Sequence, residues 1–443
     1  MAIELSNLTF TDENDIVPAS GDEQIVNTGI ANTLAGNDGI TGTGDDEYGF
    51  KNVGTLNTDD GNDTIIGQVG FFLSIPDNYG IINSGTLNTG EGNDVIIGSA
   101  FFNGISNYGT LNTGEGDDVI IGSSRGTGIY SAEGSIFDTG DGNDLIRTGN
   151  RAYIDNYSNT FTTGDGNDTI DGGVGGIHNQ GLIDTGNGED YIISIGGLSN
   201  YGGVFLGEGN DSITANDIMT TNGVTIYNEG SIDTSDGNDS IIYQGNFINK
   251  GNVFLGEGND SIATSFYVGG VPDRAIENFN AIDTGDGDDT ITTDGVIYNE
   301  GIINTGSGDD SILVNGGVDN TGVGYGIYNN GGAIITGDGN DSIIANEGFE
   351  SAPNSSGAWF LGEGEDYIKG FGSGDFYGGN GFDKLALTPG TYTVKRWADN
   401  TGESVVFTRG NSLMITSQFE QLIAGGTTYN FTSLTEGQTI TVA

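Results

Sequence analysis

The amino-acid sequence predicts an all-β fold, a right-handed parallel β-solenoid, on three observations. The stretch "TTGDGNDTI", Thr162 to Ile170, recurs in near-copies along almost the whole chain. A second signature, I-x-N-x-G, accompanies most copies, as in Ile226-Tyr227-Asn228-Glu229-Gly230. Apolar residues occur in short alternating pieces such as Ile232-Asp233-Thr234, broken by Gly-rich turns, and no helical period persists. One such unit cannot bury its own apolar face, so the units must stack.

The last aspartates of the turns are Asp38, Asp63, Asp94, Asp118, Asp144, Asp168, Asp190, Asp211, Asp239, Asp260, Asp289, Asp310, Asp341 and Asp366, mostly 21 to 31 residues apart. An asparagine precedes many of them by 11 residues: Asn27/Asp38, Asn52/Asp63, Asn83/Asp94, Asn107/Asp118, Asn179/Asp190, Asn200/Asp211, Asn228/Asp239, Asn249/Asp260, Asn278/Asp289 and Asn299/Asp310. The variation in repeat length therefore falls after the "NDxI" strand, at one corner. Each unit reads as three short strands and three corners: N-x-G, G-x-G-N-D, and one of variable length. Gly supplies positive φ at corners, and Asn and Asp tolerate it. At about 4.8 Å per coil, about fourteen coils would extend on the order of 70 Å.

Three regions follow. Residues 1–24 are expected to form an N-terminal cap, in which "TDENDIV" (Thr11 to Val17) is a worn copy of the turn around Asp15, without its glycines. Residues 25–386 hold the repeats. Residues 387–443 change character, with Lys395, Arg396, Arg409 and alternating stretches such as "SVVFT", and are expected to form a small β-rich C-terminal cap.

Charge narrows the partners. The chain has 443 residues with 63 acidic against 11 basic side chains, a formal net charge of −52. That balance disfavours nucleic acid and anionic membranes and favours cations. Cysteine is absent, which excludes disulfides and thiolate metal sites. No run has the length of a transmembrane helix. The N-terminus lacks the basic and apolar regions of a Sec-type signal peptide.

Stacking makes the acidic turns an electrostatic problem. Equivalent aspartates about 4.8 Å apart repel by about 0.9 kcal/mol at the dielectric of water and about 3.5 kcal/mol at an effective dielectric of 20. Several turns add further carboxylates: Asp141, Asp165, Asp236, Asp286, Asp338, Glu91, Glu115, Glu208, Glu257 and Glu363. Such a column needs counter-ions. Flexible, carboxylate-rich and carbonyl-rich turns suit Ca²⁺ better than octahedral Mg²⁺.

The turns resemble the RTX, or hemolysin-type calcium-binding, nonapeptide G-G-x-G-x-D-x-U-x. "GGNGFDKLA", Gly378 to Ala386, matches it in full, and "TGDGNDTI" matches with Thr for the first Gly. The resemblance implies Ca²⁺ between stacked turns, held by motif aspartates and turn carbonyls. The implied ligands are the aspartates above together with Asp46, Asp375 and Asp383. The spacing of Asp38 from Asp46, and of Asp366, Asp375 and Asp383 from one another, resembles the two-sided RTX β-roll. In the middle, I-x-N-x-G replaces the opposite turn and resembles filamentous-hemagglutinin and autotransporter β-helix repeats. Calcium is expected on one edge there, with a stacked asparagine column on another. The tail resembles the cap that follows RTX repeats and carries an uncleaved type I secretion signal.

The function expected from this resemblance is that of a secreted, extracellular or cell-surface protein that folds on binding calcium and acts as a structural or adhesive matrix component. The type I secretion machinery would be a partner, with self-association or cell-surface polysaccharide on the outside. About fifteen Ca²⁺ ions would cancel about 30 of the negative charges. The alternative is a Ca²⁺-dependent polysaccharide lyase or epimerase. Its candidate cluster is Arg125, Arg147 and Arg151, in neighbouring coils, but solvated arginines are the commoner reading and no enzyme is expected. The single histidine, His178, stands where other coils have tyrosine and reads as an outward residue. Ice binding would need a flat outward threonine array. The threonine of "IDTG" instead shares parity with a buried isoleucine and should face inward.

Overall fold

The computed structural model describes residues 2–17, 23–44, 47–70, 78–216, 224–264, 274–318, 324–351, 357–399 and 402–443. The chain forms a parallel β-solenoid divided into two compact units. One comprises Met1–Asn222 with Gly230–Ser235, and the other Gly223–Glu229 with Asp236–Ala443.

Both units are built from the same coil. In the first, the strands Tyr79–Asn83, Thr86–Asn88 and Val95–Ser99 are followed by Asn103–Asn107, Thr110–Asn112 and Val119–Ser124. Each strand pairs in parallel with its counterpart, so Ile81 lies beside Ile105, Leu87 beside Leu111 and Ile96 beside Ile120. All six side chains are fully buried. In the second, Arg274–Asn278, Ala281–Asp283 and Thr290–Thr293 carry Val296–Asn299, Ile302–Asn304 and Ser311–Val314. Ile276, Ile282 and Ile291 stack on Ile297, Ile303 and Ile312. Burial of each such side chain contributes about 1.5–3 kcal/mol. Larger rings fill the interior in places: Phe137 stacks on Phe161 at 4.4 Å, and Trp359 on Phe376 at 4.3 Å.

The ends differ from the middle. In the first unit, Ile3–Glu4 already pairs in parallel with Ile25–Asn27, and Ile16–Val17 with Gly39–Gly44. In the second, Gly390–Asp399 and Gly402–Arg409 form an antiparallel hairpin. The chain then returns to the parallel ladder: Ser412–Ser417 joins Gly374–Gly381, and Gln421–Ala424 joins Lys384–Leu387. Thr427–Asn430 pairs antiparallel with Gln421–Ala424 and occupies part of the edge that a parallel ladder leaves open.

The corners need their own hydrogen bonds. At the N-x-G corner the buried asparagines form the expected column. Asn249 Nδ2 donates to Asn278 Oδ1 at 2.9 Å and to the Ala281 carbonyl at 2.8 Å, and Asn278 repeats this on Asn299 Oδ1 and the Ile302 carbonyl. Asn27, Asn52 and Asn83 do the same in the first unit, ending on Asn107, whose Nδ2 donates to the Ile136 carbonyl where Ser131 interrupts the run with a Ser135 contact. The threonines of the T-G turns are buried, as their parity predicts, and each hydroxyl donates to a carbonyl of the next coil.

Asn278→Ala would remove the side-chain donor to the Ile302 carbonyl and leave one Asn249 Nδ2 hydrogen without its acceptor, in a buried corner. The expected cost is about 2–3 kcal/mol, read from urea unfolding at fixed calcium concentration. A loss below about 0.5 kcal/mol would show that the asparagine column is not a structural element.

Candidate metal centre

The T-G-x-G-N-D corner is shaped by its glycines. Gly164 has φ +88° and Gly166 φ +149°, and a Cβ on Gly166 would stand 1.8 Å from the Gly142 carbonyl oxygen of the preceding coil. Glycine therefore serves both the turn and the close stacking of turn on turn. With the backbone so placed, the threonine and the final aspartate point inward, while the residue between the glycines and the asparagine point outward.

The inward aspartates make a continuous ladder within each unit. In the first, the backbone N–H groups of Asp38, Asp63, Asp94, Asp118, Asp144, Asp168 and Asp190 each donate to Oδ1 of the next column aspartate, ending on Asp211, at 2.7–2.8 Å. In the second, Asp239, Asp260, Asp289, Asp310, Asp341 and Asp366 do the same, ending on Asp383, at 2.7–3.0 Å. Each of these aspartates is at most 3% exposed. The outward residues run the opposite way. The N–H of Asn167 donates to Asn143 Oδ1 of the preceding coil, and that of Glu189 to Asn167 Oδ1. The amides of both residues of the N-D pair are thus capped by neighbouring side chains, one from each side.

The second oxygen of the aspartate is the unusual feature. Oδ2 of Asp38, Asp63, Asp94, Asp118, Asp144, Asp168 and Asp190, and of Asp260, Asp310, Asp341, Asp366 and Asp383, is buried and accepts no hydrogen bond. The turn threonine is close enough to lower the pKa of its aspartate, as Thr58 does for Asp63, but its proton goes to the next coil's carbonyl, Thr89 O in this case. Asp289 is the exception, with its Oδ2 taking the Thr284 hydroxyl. Burial therefore dominates and pushes the carboxyl of Asp63 up to about 6, those of Asp94 and Asp168 to about 7, and that of Asp118 to about 8. Asp260, Asp310 and Asp366 reach about 7 for the same reason, with neighbouring aspartates adding to the rise. The ion pairs His178–Asp155, Lys250–Glu229, Arg274–Glu277 and Lys384–Glu365 all lie off the ladder.

A row of buried, acceptor-only oxygens without donors fits a hard cation. Among the described residues no three acidic side chains converge on one point. An ion would be held by aspartates of successive coils with oxygens of the turn backbone, one carboxylate per coil.

The remaining sequence candidates fall elsewhere. Asp375 is half-buried on the strand Gly374–Gly381, beside Ala358 and Ile415, and does not join the ladder. Asp46 lies outside the described residues. Asp15, from the worn turn, starts the first ladder by donating its N–H to Asp38 Oδ1. Arg125, Arg147 and Arg151 are exposed, and Arg125 lies over the Phe101 ring. His178 points outward and bonds Asp155 at 2.7 Å. Glu420 is an addition, since its Oε2 accepts the Asp383 N–H and extends the second ladder into the C-terminal region. Its signal was present as "FEQL" (Phe419 to Leu422), a copy of "FDKL" (Phe382 to Leu385) with Glu for Asp.

No protein-family model matches this chain, and no curated protein does. Among solved structures, the chain is similar to a hyperactive, Ca²⁺-dependent, β-helical antifreeze protein from an Antarctic bacterium. Identity is 21%, the match covers 76% of this chain and 84% of that one, and the TM-score is 0.42. At that level the likeness carries nothing about the turns, and the reading of the ladder stands on this chain's own residues.

Two outcomes follow from the raised pKa values. Without metal, the folded chain binds more protons than the unfolded chain between about pH 4 and the folded values of about 6 to 8. Stability contributed by protonation is fully present below about pH 4 and is lost as pH rises through that window. Metal-free protein should keep its β circular dichroism near pH 5, lose it near pH 8.5, and regain it at pH 8.5 when Ca²⁺ is added. Metal-free stability that is flat or rising from pH 5 to 8 would contradict the ladder's electrostatics. Asp168→Asn keeps the acceptor for the Asp144 N–H but removes a buried charge. It should stabilise the metal-free form and destabilise the calcium-loaded form, by about 1–3 kcal/mol each, in paired thermal melts with and without Ca²⁺.

Proposed function

We propose that this chain is an extracellular calcium-binding repeat protein of the RTX type, whose fold is conditional on the ion. The observation that carries this is the buried row of ladder aspartates, twelve of which, from Asp38 to Asp190 and at Asp260, Asp310, Asp341, Asp366 and Asp383, have an Oδ2 that accepts no hydrogen bond, with no basic side chain paired to them among the described residues. In calcium-poor cytosol the acidic chain would stay unfolded and fit for threading through a type I exporter. Outside, modules of this kind bind at roughly 10⁻⁴ to 10⁻³ M. Each ion bound only by the folded form then adds stability.

The folded protein is, in this reading, a structural or adhesive component of a cell surface or matrix, and not an enzyme. Repetition supports that role, because a catalytic centre is a local exception to a pattern. Calorimetric titration of chelator-treated protein with Ca²⁺, followed by circular dichroism, tests the proposal. The expected result is binding of several ions in the submillimolar to millimolar range, coupled to a gain of β-structure. An unchanged β-spectrum in EGTA at pH 8.5 would overturn it. Light scattering in millimolar Ca²⁺ tests self-association.

A further inference from the structure

Two outward columns flank the buried asparagine, one residue before it and one after. In the second unit these columns hold two of the chain's own cations against tyrosines. Lys250 Nζ lies 5.0 Å from the Tyr227 ring centre, donates to Tyr227 Oη at 2.8 Å and pairs with Glu229 at 3.3 Å. On the same face Arg274 lies 3.9 Å from the Tyr298 ring centre and pairs with Glu277 at 2.8 Å. Arg274 on the Tyr298 face, with Glu277, is thus a ring-plus-carboxylate cation seat that this fold uses on itself, while Lys250 is held at the Tyr227 hydroxyl edge and by Glu229.

In the first unit the same columns carry rings on five successive coils. Tyr108, Tyr130, Tyr157, His178 and Tyr201 follow one another at 5.5, 5.8, 6.0 and 5.5 Å between ring centres. They meet at 51–69°, and Tyr108 and Tyr201 are nearly half exposed. Asp155 places a carboxylate within this run, against His178.

We propose that this aromatic ladder is a docking strip for an extended cationic polypeptide segment rich in Lys or Arg. The rings stand one per coil, about 4.8 Å apart along the stack, so a segment laid along the strip would meet several of them at once. The net charge of −52 attracts such a segment from a distance. The strip lies at the N-x-G corner and uses none of the ladder aspartates, so it does not rest on the calcium reading.

The test uses the full chain in millimolar Ca²⁺ and 0.15 M NaCl, with a fluorescent eight-residue peptide of alternating Arg and Gly, read by polarisation. Tyr130→Ala with Tyr157→Ala should weaken binding about tenfold. Tyr130→Phe with Tyr157→Phe should hold it within about twofold, because the ring faces remain. Asp138→Asn with Asp184→Asn, which removes two charges from another sheet, should also stay within about twofold. Should the alanine pair fail to fold by circular dichroism, Tyr130→Leu with Tyr157→Leu keeps the apolar cover, removes the rings and should show the same loss. Three results would overturn the proposal: no effect of removing the rings, an equal loss in the Asp138/Asp184 variant, or a neutral oligosaccharide whose binding needs the tyrosines and is not displaced by the peptide.

Discussion

One buried carboxylate per coil is the constraint on which the rest of this structure depends. A carboxylate in such a place is costly unless its charge is met. Here one oxygen is met by a backbone N–H and the other by nothing the described residues provide. On the proposed reading, a proton or a cation completes the turn and lets the coil close on itself. A proton does so in acid, and a divalent oxygen-seeking ion would do so at neutral pH. The same feature that makes the isolated turn look like a liability would, on that reading, make the stability of the stacked turn conditional.

The aspartate also has a second task, which is geometric. At a corner the backbone turns out of the sheet, so its amides lose their ladder partners and must be satisfied otherwise. The N-D pair solves this with two ladders of opposite sense, the aspartate receiving from the coil before it and the asparagine from the coil after it. The glycines on either side of the apex let the turns stack closely enough for those bonds to form. Ladder, glycines and aliphatic stack reinforce one another, because each requires the neighbouring coil to repeat the same residues at the same register. Where the register residue changes, as at Ser131 in the asparagine column, a local hydroxyl pair fills the gap.

The coil also separates its tasks by direction. Inward positions are nearly uniform from coil to coil, since an unlike side chain would leave a cavity or a clash. Outward positions are under no such restriction, and there the chain varies: tyrosines and His178 on one run of coils, Tyr–Glu–Lys and Arg–Glu seats on another. Individuality in a repeat protein is carried on those outward columns, and a partner would read them.

Much of this was legible in the primary structure. Repeat spacing, the Asn-to-Asp offset, period-2 alternation and glycine placement determined a parallel solenoid of three-stranded coils, the inward threonines and the asparagine column, because these follow from local parity and from the need to stack. Even Glu420 was readable, as "FEQL" beside "FDKL". Tertiary structure decided what depends on several coils at once. It turned the aspartates fully inward, gave them opposed amide ladders, left Oδ2 without a donor and kept Asp375 off the column. It also brought Tyr108, Tyr130, Tyr157, His178 and Tyr201 into one run, although they are 21 to 27 residues apart in sequence and alternate between two columns. Burial and cross-coil contact are properties of the stack, so no single repeat could disclose them.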